Sequence, residues 1–390
     1  MNKAKVAIIS AHEYGRDQLC ESLGKGLELI GGLDKVIKPD DRVFVKVNHL
    51  SPASRAERGI ITHPVLVEAV LELLKKVSTD ITVGDDIDSE DGDDFQVSGF
   101  RQMCKRAGVR LINLREEGFV EIECQGYILD KVYLSSVILN ADVIINLPKL
   151  KTHSLTFFTG AVKNMYGVIP VGFRRRFHSE YFRKEDFTQV ITDIFAAVKP
   201  HLTIMDGIMA MEGDGPAAGH ARRLGVILAS RDAVALDAVA TNIIGLEPVD
   251  VYTTRFGDER GLGVGNLQDI EIVGKGIKDV SVSDFKFPAG TNLTITSRLP
   301  RFLTRYLLDE ITVKPYVAEP RCTGCFECSR ICPVTAISET GHIVKINHDI
   351  CIQCMCCHEV CRFNAIMLKR SITGQAMYFL ANMIRKLIGA

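Results

Sequence analysis

The chain lacks an excess of charge, a long apolar run and a recognisable export signal. Its 47 Lys and Arg residues and 48 Asp and Glu residues give a formal net charge of −1, so no overall field favours nucleic acid or an anionic membrane. No window approaches the roughly 18 uninterrupted apolar residues of a spanning helix, and the N-terminus has no secretory pattern. The sequence predicts a cytoplasmic protein with no transmembrane segment and no nucleic-acid partner.

Cysteine is scarce through most of the chain and concentrated near its end. Only Cys20, Cys104 and Cys124 lie in the first 321 residues, whereas nine of the twelve cysteines lie between Cys322 and Cys361. In a cytoplasmic chain such clustering indicates metal binding rather than disulfide bonds.

Eight of the clustered cysteines form two runs with the spacing C-x2-C-x2-C-x3-C, and the second run begins 29 residues after the first. A [4Fe–4S] cluster needs one thiolate at each of its four irons. In two-cluster modules the last cysteine of each run binds the cluster of the other run. The spacing therefore predicts two [4Fe–4S] clusters, one held by Cys322, Cys325, Cys328 and Cys361, and the other by Cys351, Cys354, Cys357 and Cys332.

Zinc is the alternative metal for these cysteines, but zinc sites use two Cys pairs separated by a longer loop. The segment resembles bacterial two-cluster ferredoxins, in which a proline follows the last cysteine, as Pro333 does in the first run. Arg362 takes that place in the second run, where a cation could raise the cluster's potential. Cys356 is predicted not to bind a cluster, because its neighbour Cys357 keeps the spacing.

The first 290 residues alternate short apolar runs with amphipathic stretches. This pattern predicts an α/β fold, a mostly parallel sheet with helices on both faces, and places strands at residues 5–10, 42–47, 81–84, 110–114, 141–147, 202–205, 224–229 and 270–273. Helices are predicted at residues 62–77, 100–107, 186–198 and 232–244.

The whole chain is predicted to contain four parts. These are an α/β domain (1–290), a connecting segment (291–315), a small α+β two-cluster ferredoxin-like domain (316–370) and an amphipathic helix (371–390). The last helix is predicted to pack against the body, with contact to a membrane surface as the alternative.

Polar residues gather where the predicted strands of the α/β domain end. In open α/β sheets the carboxyl ends of the strands line the ligand crevice. Lysines there suit an anionic substrate, and carboxylates among glycines suit proton transfer or a hard metal ion. Each residue alone also has a non-functional explanation: a lysine at a loop edge is often simply solvated, and an aspartate beside glycines often stabilises a turn. As a set they predict a site comprising Lys46, Asn48, Lys149, Lys151, His153, Lys163, Asn164, Asp206, Glu212 and Asp214.

Three other sequence patterns do not predict a functional site. The acidic stretch at residues 85–94 fails the calcium-loop template and is predicted to be a solvated loop. The arginines at residues 174–176 make too small a patch for nucleic acid. Glycines at residues 261–265 precede a strand rather than a helix, and no Walker A motif is present. No organic cofactor can be predicted.

Several segments together resemble the family called domain of unknown function 362, which often carries a ferredoxin module. They are Lys46-Val47-Asn48, Thr62-His63-Pro64 and residues 146–153, 160–167, 211–216 and 232–240. The resemblance implies an α/β iron–sulfur protein, either a redox enzyme or an assembly factor, and specifies no reaction.

The leading hypothesis is an iron–sulfur oxidoreductase in which the clusters pass single electrons to a substrate or cofactor in the crevice. Lys46, Lys149, Lys151 and Lys163 would hold anionic groups, while Glu212, Asp214 or His153 would transfer protons. A redox protein would donate or accept the electrons. The alternative is a non-catalytic electron carrier, or an iron–sulfur assembly factor that acts on a protein partner.

Overall fold

The structure is a computed structural model that describes residues 3–50, 54–87, 95–181, 183–288, 314–361 and 363–369. Several predicted features lie outside these ranges: Arg362, the helix at residues 371–390, residues 88–94 of the acidic stretch and all but the last two residues of the connecting segment.

The strands are given in chain order as the structure has them. They are β1 (Ala4–Ser10), β2 (Val43–Val47), β3 (Ile81–Asp85), β4 (Arg110–Asn113), β5 (Phe119–Glu123), β6 (Lys131–Ser135), β7 (Val143–Leu147), β8 (Lys149–His153), β9 (Phe157–Thr159), β10 (Leu202–Glu212), β11 (His220–Ser230), β12 (Ile270–Gly274), β13 (Lys314–Val317), β14 (Ile337–Thr340), β15 (Ile343–Ile346) and β16 (Ile366–Lys369).

The helices of the described ranges are also numbered in chain order. They are α1 (Arg16–Leu29), α2 (Pro64–Leu74), α3 (Phe100–Ala107), α4 (Ser136–Asn140), α5 (Ala161–Asn164), α6 (Val171–Glu180), α7 (Lys184–Ala197), α8 (Ala233–Ile243), α9 (Tyr252–Glu259), α10 (Ile277–Val280), α11 (Glu327–Ile331) and α12 (Cys356–Val360). In these ranges no helix has both the length and the apolar character needed to cross a membrane.

A ten-stranded sheet forms the centre of the larger domain, with the order β12-β1-β11-β10-β7-β2-β3-β4 and with β8 and β9 attached beside β10. Most neighbours run parallel, while β11 is antiparallel to both β1 and β10. From β2 the chain moves outward to β3 and β4, and it then returns to β7 on the other side of β2. The switch point therefore lies between β2 and β7, where α/β sheets form their ligand crevices.

Apolar side chains cover both faces of this sheet, which confirms the predicted α/β fold. One core joins α1, α2 and α3 to the sheet, and the other joins α5, α7 and α8 to it. β2 and β7 are buried along their whole length, as expected for central strands with helices on both faces. The helix predicted at residues 62–77 is α2, with His63 as its N-cap, Pro64 as its first residue and Leu74 as its last.

Two predicted loops are strands in the structure. The segment Lys149–His153, expected to leave the sheet, forms β8 and pairs with β10 and β9. β10 does not end at Asp206 but continues to Glu212, with a register shift between Gly207 and Met209. The sequence did not indicate β8, because its lysines and histidine are not typical of a buried strand. Buried polar side chains are stable only with hydrogen-bond or ionic partners, and here those partners lie far away in the sequence.

The ferredoxin-like part consists of two strand pairs and two short helices. β13 pairs with β16 and β14 pairs with β15, both antiparallel. Its two cysteine runs share an unusual backbone, since left-handed residues recur at the same offset in each run: Gly324 and Gln353, Phe326 and Met355, Thr335 and Asn364. The two runs therefore fold in the same way, as their shared spacing predicts.

Candidate functional site

Strand β8, which pairs with β10 beside the predicted crevice, carries three of the predicted site residues in a row, called the floor below. Lys149, Lys151 and His153 are alternate residues, and alternate residues of a strand lie on the same face. All three are buried, with exposed fractions of 1% or less. The row therefore connects the predicted lysines to the predicted histidine in a single line along the floor.

Lys46, at the end of β2, is paired with an aspartate that the sequence did not identify. Its Nζ lies 2.7 Å from Asp85 Oδ1, and both side chains are buried. Burial lowers the pKa of Lys46 and raises that of Asp85, while the contact between them opposes both shifts. Gly167 closes over the pair, since a Cβ there would lie 3.0 Å from Lys46 Nζ. Asp85 is thus a buried strand residue and not part of the predicted solvated loop.

Lys149 forms a second buried pair, with Asp206, at an Nζ–Oδ2 distance of 2.8 Å. Tyr14 holds this pair: its hydroxyl donates to Asp206 Oδ1 at 2.9 Å and accepts from Lys149 Nζ at 3.1 Å. Burial and the nearby Asp206 carboxylate raise the pKa of Tyr14. The main-chain N–H of His63 donates to Asp206 Oδ2 at 2.9 Å, and the imidazole ring of His63 stacks on the ring of Tyr14.

Three asparagines form a directed chain across the switch point. Asn146 Nδ2 donates to the carbonyl oxygen of Ala161 at 3.0 Å, and Asn164 Nδ2 donates to Asn146 Oδ1 at 2.7 Å. Asn48 Nδ2 then donates to Asn164 Oδ1 at 2.9 Å. Asn48 Oδ1 is buried and has no hydrogen-bond partner among the described residues. The chain places the two predicted asparagines together and adds Asn146.

Lys151, His153 and Lys163 occupy the other end of the crevice. Lys151 Nζ donates to the carbonyl oxygen of Ile60 at 2.6 Å, and Lys163 Nζ lies 5.7 Å from the centre of the Tyr166 ring. Burial, followed by the charges of Lys163 and neighbouring histidines, lowers the pKa of His153 well below its usual range. This ring is therefore uncharged at neutral pH.

The end of β10 and the loop after it join the crevice to the ferredoxin-like part. Glu212 is buried and its Oε2 accepts from the N–H of Lys286 at 3.2 Å. The carbonyl oxygen of Asp214 lies 3.1 Å from Nε2 of His358, a buried residue at the start of the ferredoxin-like helix α12. His358 Nδ1 lies 2.7 Å from the carbonyl oxygen of Ile366. His358 thus bridges the two parts of the molecule.

One hollow in the ferredoxin-like part is lined by five cysteines: Cys332, Cys351, Cys354, Cys356 and Cys357. Four of them are the predicted ligands of the second cluster. In the described ranges no three Cys, His, Asp or Glu side chains converge on a single ion-sized position.

Three of the four remaining cysteines, Cys325, Cys328 and Cys361, also lie near one another. Burial, and after it the proximity of Cys361 and Cys325, raises the pKa of Cys328 to about 11. Main-chain N–H groups also point at sulfur in both runs: Ala336 to Cys332 at 3.2 Å and Ala365 to Cys361 at 3.1 Å. Such donors stabilise thiolates and tune bound clusters.

Among the ten predicted site residues, side-chain contacts join Lys149 to Asp206 and Asn48 to Asn164, whereas Asp214 contacts His358 through its main chain. Sequence reasoning missed Tyr14, His63, Asp85, Asn146 and His358 as site residues. The rule of polar residues at strand ends could have found Asp85, because it is the last residue of β3. Nothing in a single sequence pairs Tyr14 with Asp206 or His358 with Asp214.

Two of the three arginines of the basic stretch at residues 174–176 form ion pairs with carboxylates of the same chain. Arg174 donates to the carbonyl oxygen of Asp86 at 2.9 Å and contacts its carboxylate, which also accepts from Arg115. Arg176 pairs with Glu180 on the same helix.

Comparison with known proteins supplies relatives for both parts of the chain. Thylakoid-associated protein sll1697 of Synechocystis sp. is 33% identical over 260 residues, which are 66% of this chain and 79% of that protein. The C-terminal region is 38% identical over 61 residues to Hydrogenase-4 component A of Escherichia coli, covering 15% of this chain and 30% of that protein.

The same region is 41% identical over 54 residues to a ferredoxin of Alicyclobacillus acidocaldarius, covering 13% of this chain and 69% of the ferredoxin. These similarities support a ferredoxin-like region fused to the α/β domain. Residues 43–242, from β2 to near the end of α8, match the family described as Domain of unknown function (DUF362). The chain belongs to this family.

Proposed function

We propose that the protein is an iron–sulfur oxidoreductase in which two [4Fe–4S] clusters supply single electrons to a ligand held in the crevice. Cys322, Cys325, Cys328 and Cys361 would hold one cluster, and Cys351, Cys354, Cys357 and Cys332 the other. Such clusters accept and donate one electron at a time, at potentials between about −700 and +450 mV. The similarity to a hydrogenase component supports a redox protein as the electron partner.

The contact between His358 and Asp214 carries this proposal. His358 directly follows Cys357 in the chain, and its Nε2 lies 3.1 Å from the carbonyl oxygen of Asp214. Asp214 is two residues past the end of β10, and β10 pairs with β8, the strand that carries the lysine row. The second cluster loop is therefore packed against the crevice, as direct electron delivery requires.

The crevice residues supply binding and orientation. The charges of Lys46 and Lys149 are compensated by Asp85 and Asp206, so these two lysines hold the floor together more than they attract anions. Lys151 and Lys163 are the other two lysines proposed to contact an anionic group, and Lys151 Nζ is oriented by its hydrogen bond to the carbonyl oxygen of Ile60. Proton transfer is assigned to Glu212 or Asp214, because His153 is uncharged and its Nδ1 already accepts main-chain hydrogen bonds.

Metal analysis of two neighbouring cysteine variants tests the cluster assignment. We expect the anaerobically purified protein to contain about eight irons and eight sulfides per chain, the content of two cubes. Cys357→Ser should lose much of the second cluster's iron, whereas Cys356→Ser, the matched control, should keep all of it. Zinc in place of iron, or equal losses in both variants, would contradict the assignment.

Electron delivery is tested with the reduced full-length protein. Native mass spectrometry of anaerobic preparations should detect a small molecule bound stoichiometrically, and reoxidation of the dithionite-reduced protein by that molecule should be lost in Lys151→Ala. Lys25→Ala, on the exposed side of α1, is the control. Reversible reduction with no bound molecule would instead favour an electron carrier or assembly factor.

A further inference from the structure

Two histidines of the crevice share a local geometry that fixes where their ring hydrogen lies. Nδ1 of His63 accepts from the N–H of Val65 at 3.2 Å, and Nδ1 of His153 accepts from the N–H of Leu155 at 3.1 Å. A ring nitrogen that accepts a hydrogen bond carries no hydrogen, so in a neutral ring the hydrogen is on Nε2. The main chain thus selects the tautomer of both rings.

The ring of His63 is also held in place. It stacks on the Tyr14 ring with a centroid distance of 3.6 Å and an interplanar angle of 11°. The Tyr14 hydroxyl uses its hydrogen on Asp206 and accepts from Lys149 Nζ and the N–H of Met209. Rotating the His63 ring would break the stack and expose the start of α2. His63 as a whole is only partly buried, and no hydrogen bond from its Nε2 is found among the described residues.

Burial keeps the His63 ring neutral, and the charges around it change its pKa less. Burial is the largest cause that lowers its pKa, to about 4, and Lys149 acts in the same direction. Asp206 and Glu57 oppose the shift without cancelling it. Since Lys149 is paired with Asp206, the surroundings of the ring carry little net charge.

We propose that His63 is a fixed N–H donor that binds a carbonyl or carboxylate oxygen of the crevice ligand through Nε2, and that it does not carry protons. A neutral donor beside a compensated ion pair suits an uncharged or singly charged oxygen and gives no advantage to a phosphate dianion or a cation. The inference rests on the proposed function only in treating the crevice as a ligand site.

Nitrogen NMR of the full-length protein labelled with ¹⁵N-histidine tests the state of the ring. His63→Gln identifies the signal. We expect an unprotonated Nδ1 and a protonated Nε2 from pH 8 to pH 5, and a shift of the Nε2 signal as sodium acetate replaces sodium chloride at constant ionic strength. Hydrogen on Nδ1, or a protonation midpoint between pH 6 and pH 7, would overturn the proposal.

Two substitutions separate the donor from its structural role. Asparagine is a favourable N-cap, so His63→Asn retains the bond to Val65 and the fold of α2 but removes the Nε2 donor. His63→Gln places an amide N–H near the Nε2 position. Calorimetry should show acetate and acetamide binding weakened about tenfold in His63→Asn, the factor for one hydrogen bond, and much less in His63→Gln. Methylammonium should not bind at this site in either variant.

Unchanged acetate affinity in folded His63→Asn, or no binding of acetate and acetamide to the unmodified protein, would refute the inference. These outcomes are independent of the clusters. If acetate binding depends on His63 while the reduced protein delivers no electrons to a crevice ligand, the proposed function fails and the binding role stands.

Discussion

At the scale of single residues, the crevice is built from buried polar groups that satisfy one another. Lys46 with Asp85 and Lys149 with Asp206 are ion pairs at 2.7 and 2.8 Å with almost no exposed surface. A buried pair adds little net stability, because desolvation offsets its attraction, but removing one partner leaves an uncompensated charge. These residues are therefore sensitive to substitution whatever the ligand is.

Lys149→Met should lower the free energy of unfolding by about 3–5 kcal/mol, because it leaves the buried carboxylate of Asp206 without its cation. Urea denaturation followed by far-UV circular dichroism measures the change, since the chain contains no tryptophan. Lys25→Met breaks an exposed pair with Glu21 and should cost less than about 1 kcal/mol. Equal losses in the two variants would show that Asp206 is not charged.

The same residues mark how far the sequence could be read. Strand ends and cysteine spacing located Lys46, Asn48 and the thiol runs, because these depend on local pattern. The partners Asp85, Tyr14 and His358 come from distant segments, and only the folded chain brings them into contact. Lys46 and Lys149 were predicted to hold anionic groups, because the sequence does not show that Asp85 and Asp206 compensate their charges.

At the scale of elements, β8 and α12 lie on the two sides of the contact between the α/β domain and the ferredoxin-like part. β8 carries the lysine row and pairs with β10, and the loop after β10 contacts α12 through His358. The sequence predicted neither the strand nor the contact. A polar pentapeptide such as KLKTH has the composition of a loop, and its strand conformation depends on pairing with β10 and β9.

His358→Ala should loosen this contact without removing a cluster ligand. Hydrogen exchange should rise in peptides that cover residues 212–216 and 356–360, because the bridge between Asp214 and Ile366 is lost, while iron content should stay unchanged. His348→Ala is the control, since His348 is exposed in the same domain. Unchanged exchange in His358→Ala would show that the bridge does not hold the two parts together.

At the scale of the whole molecule, several buried histidines link stability to pH. Burial is the main cause that lowers the pKa of His49 and His178 to about 3 and that of His63 to about 4. Below their ordinary value of 6.5, the unfolded chain binds a proton at each residue and the folded chain does not. Stability from these groups is therefore complete above pH 6.5 and is lost as the pH falls toward 4.

We expect the free energy of unfolding to decrease by up to about 3 kcal/mol per pH unit between pH 6.5 and pH 4.5. Asp237, Asp85 and Asp232 act in the opposite direction, since burial raises their pKa values. Five histidines, including His153 and His201, have lowered pKa values and outweigh these three carboxyls. Urea titrations at pH 7.5, 6.5 and 5.5 measure the slope, and His178→Phe should reduce it. A stability that is flat across this range would contradict the assignment of neutral rings.

The chain of asparagines has a consequence for whatever occupies the switch point. The carbonyl oxygen of Ala161 can only accept a hydrogen bond, so Asn146 must direct its NH2 group to it and its oxygen to Asn164. Asn164 is oriented in the same way towards Asn48, which leaves Asn48 Oδ1 at the end of the chain of hydrogen bonds. A polar group that contacts Asn48 Oδ1 must therefore donate a hydrogen bond or carry a positive charge.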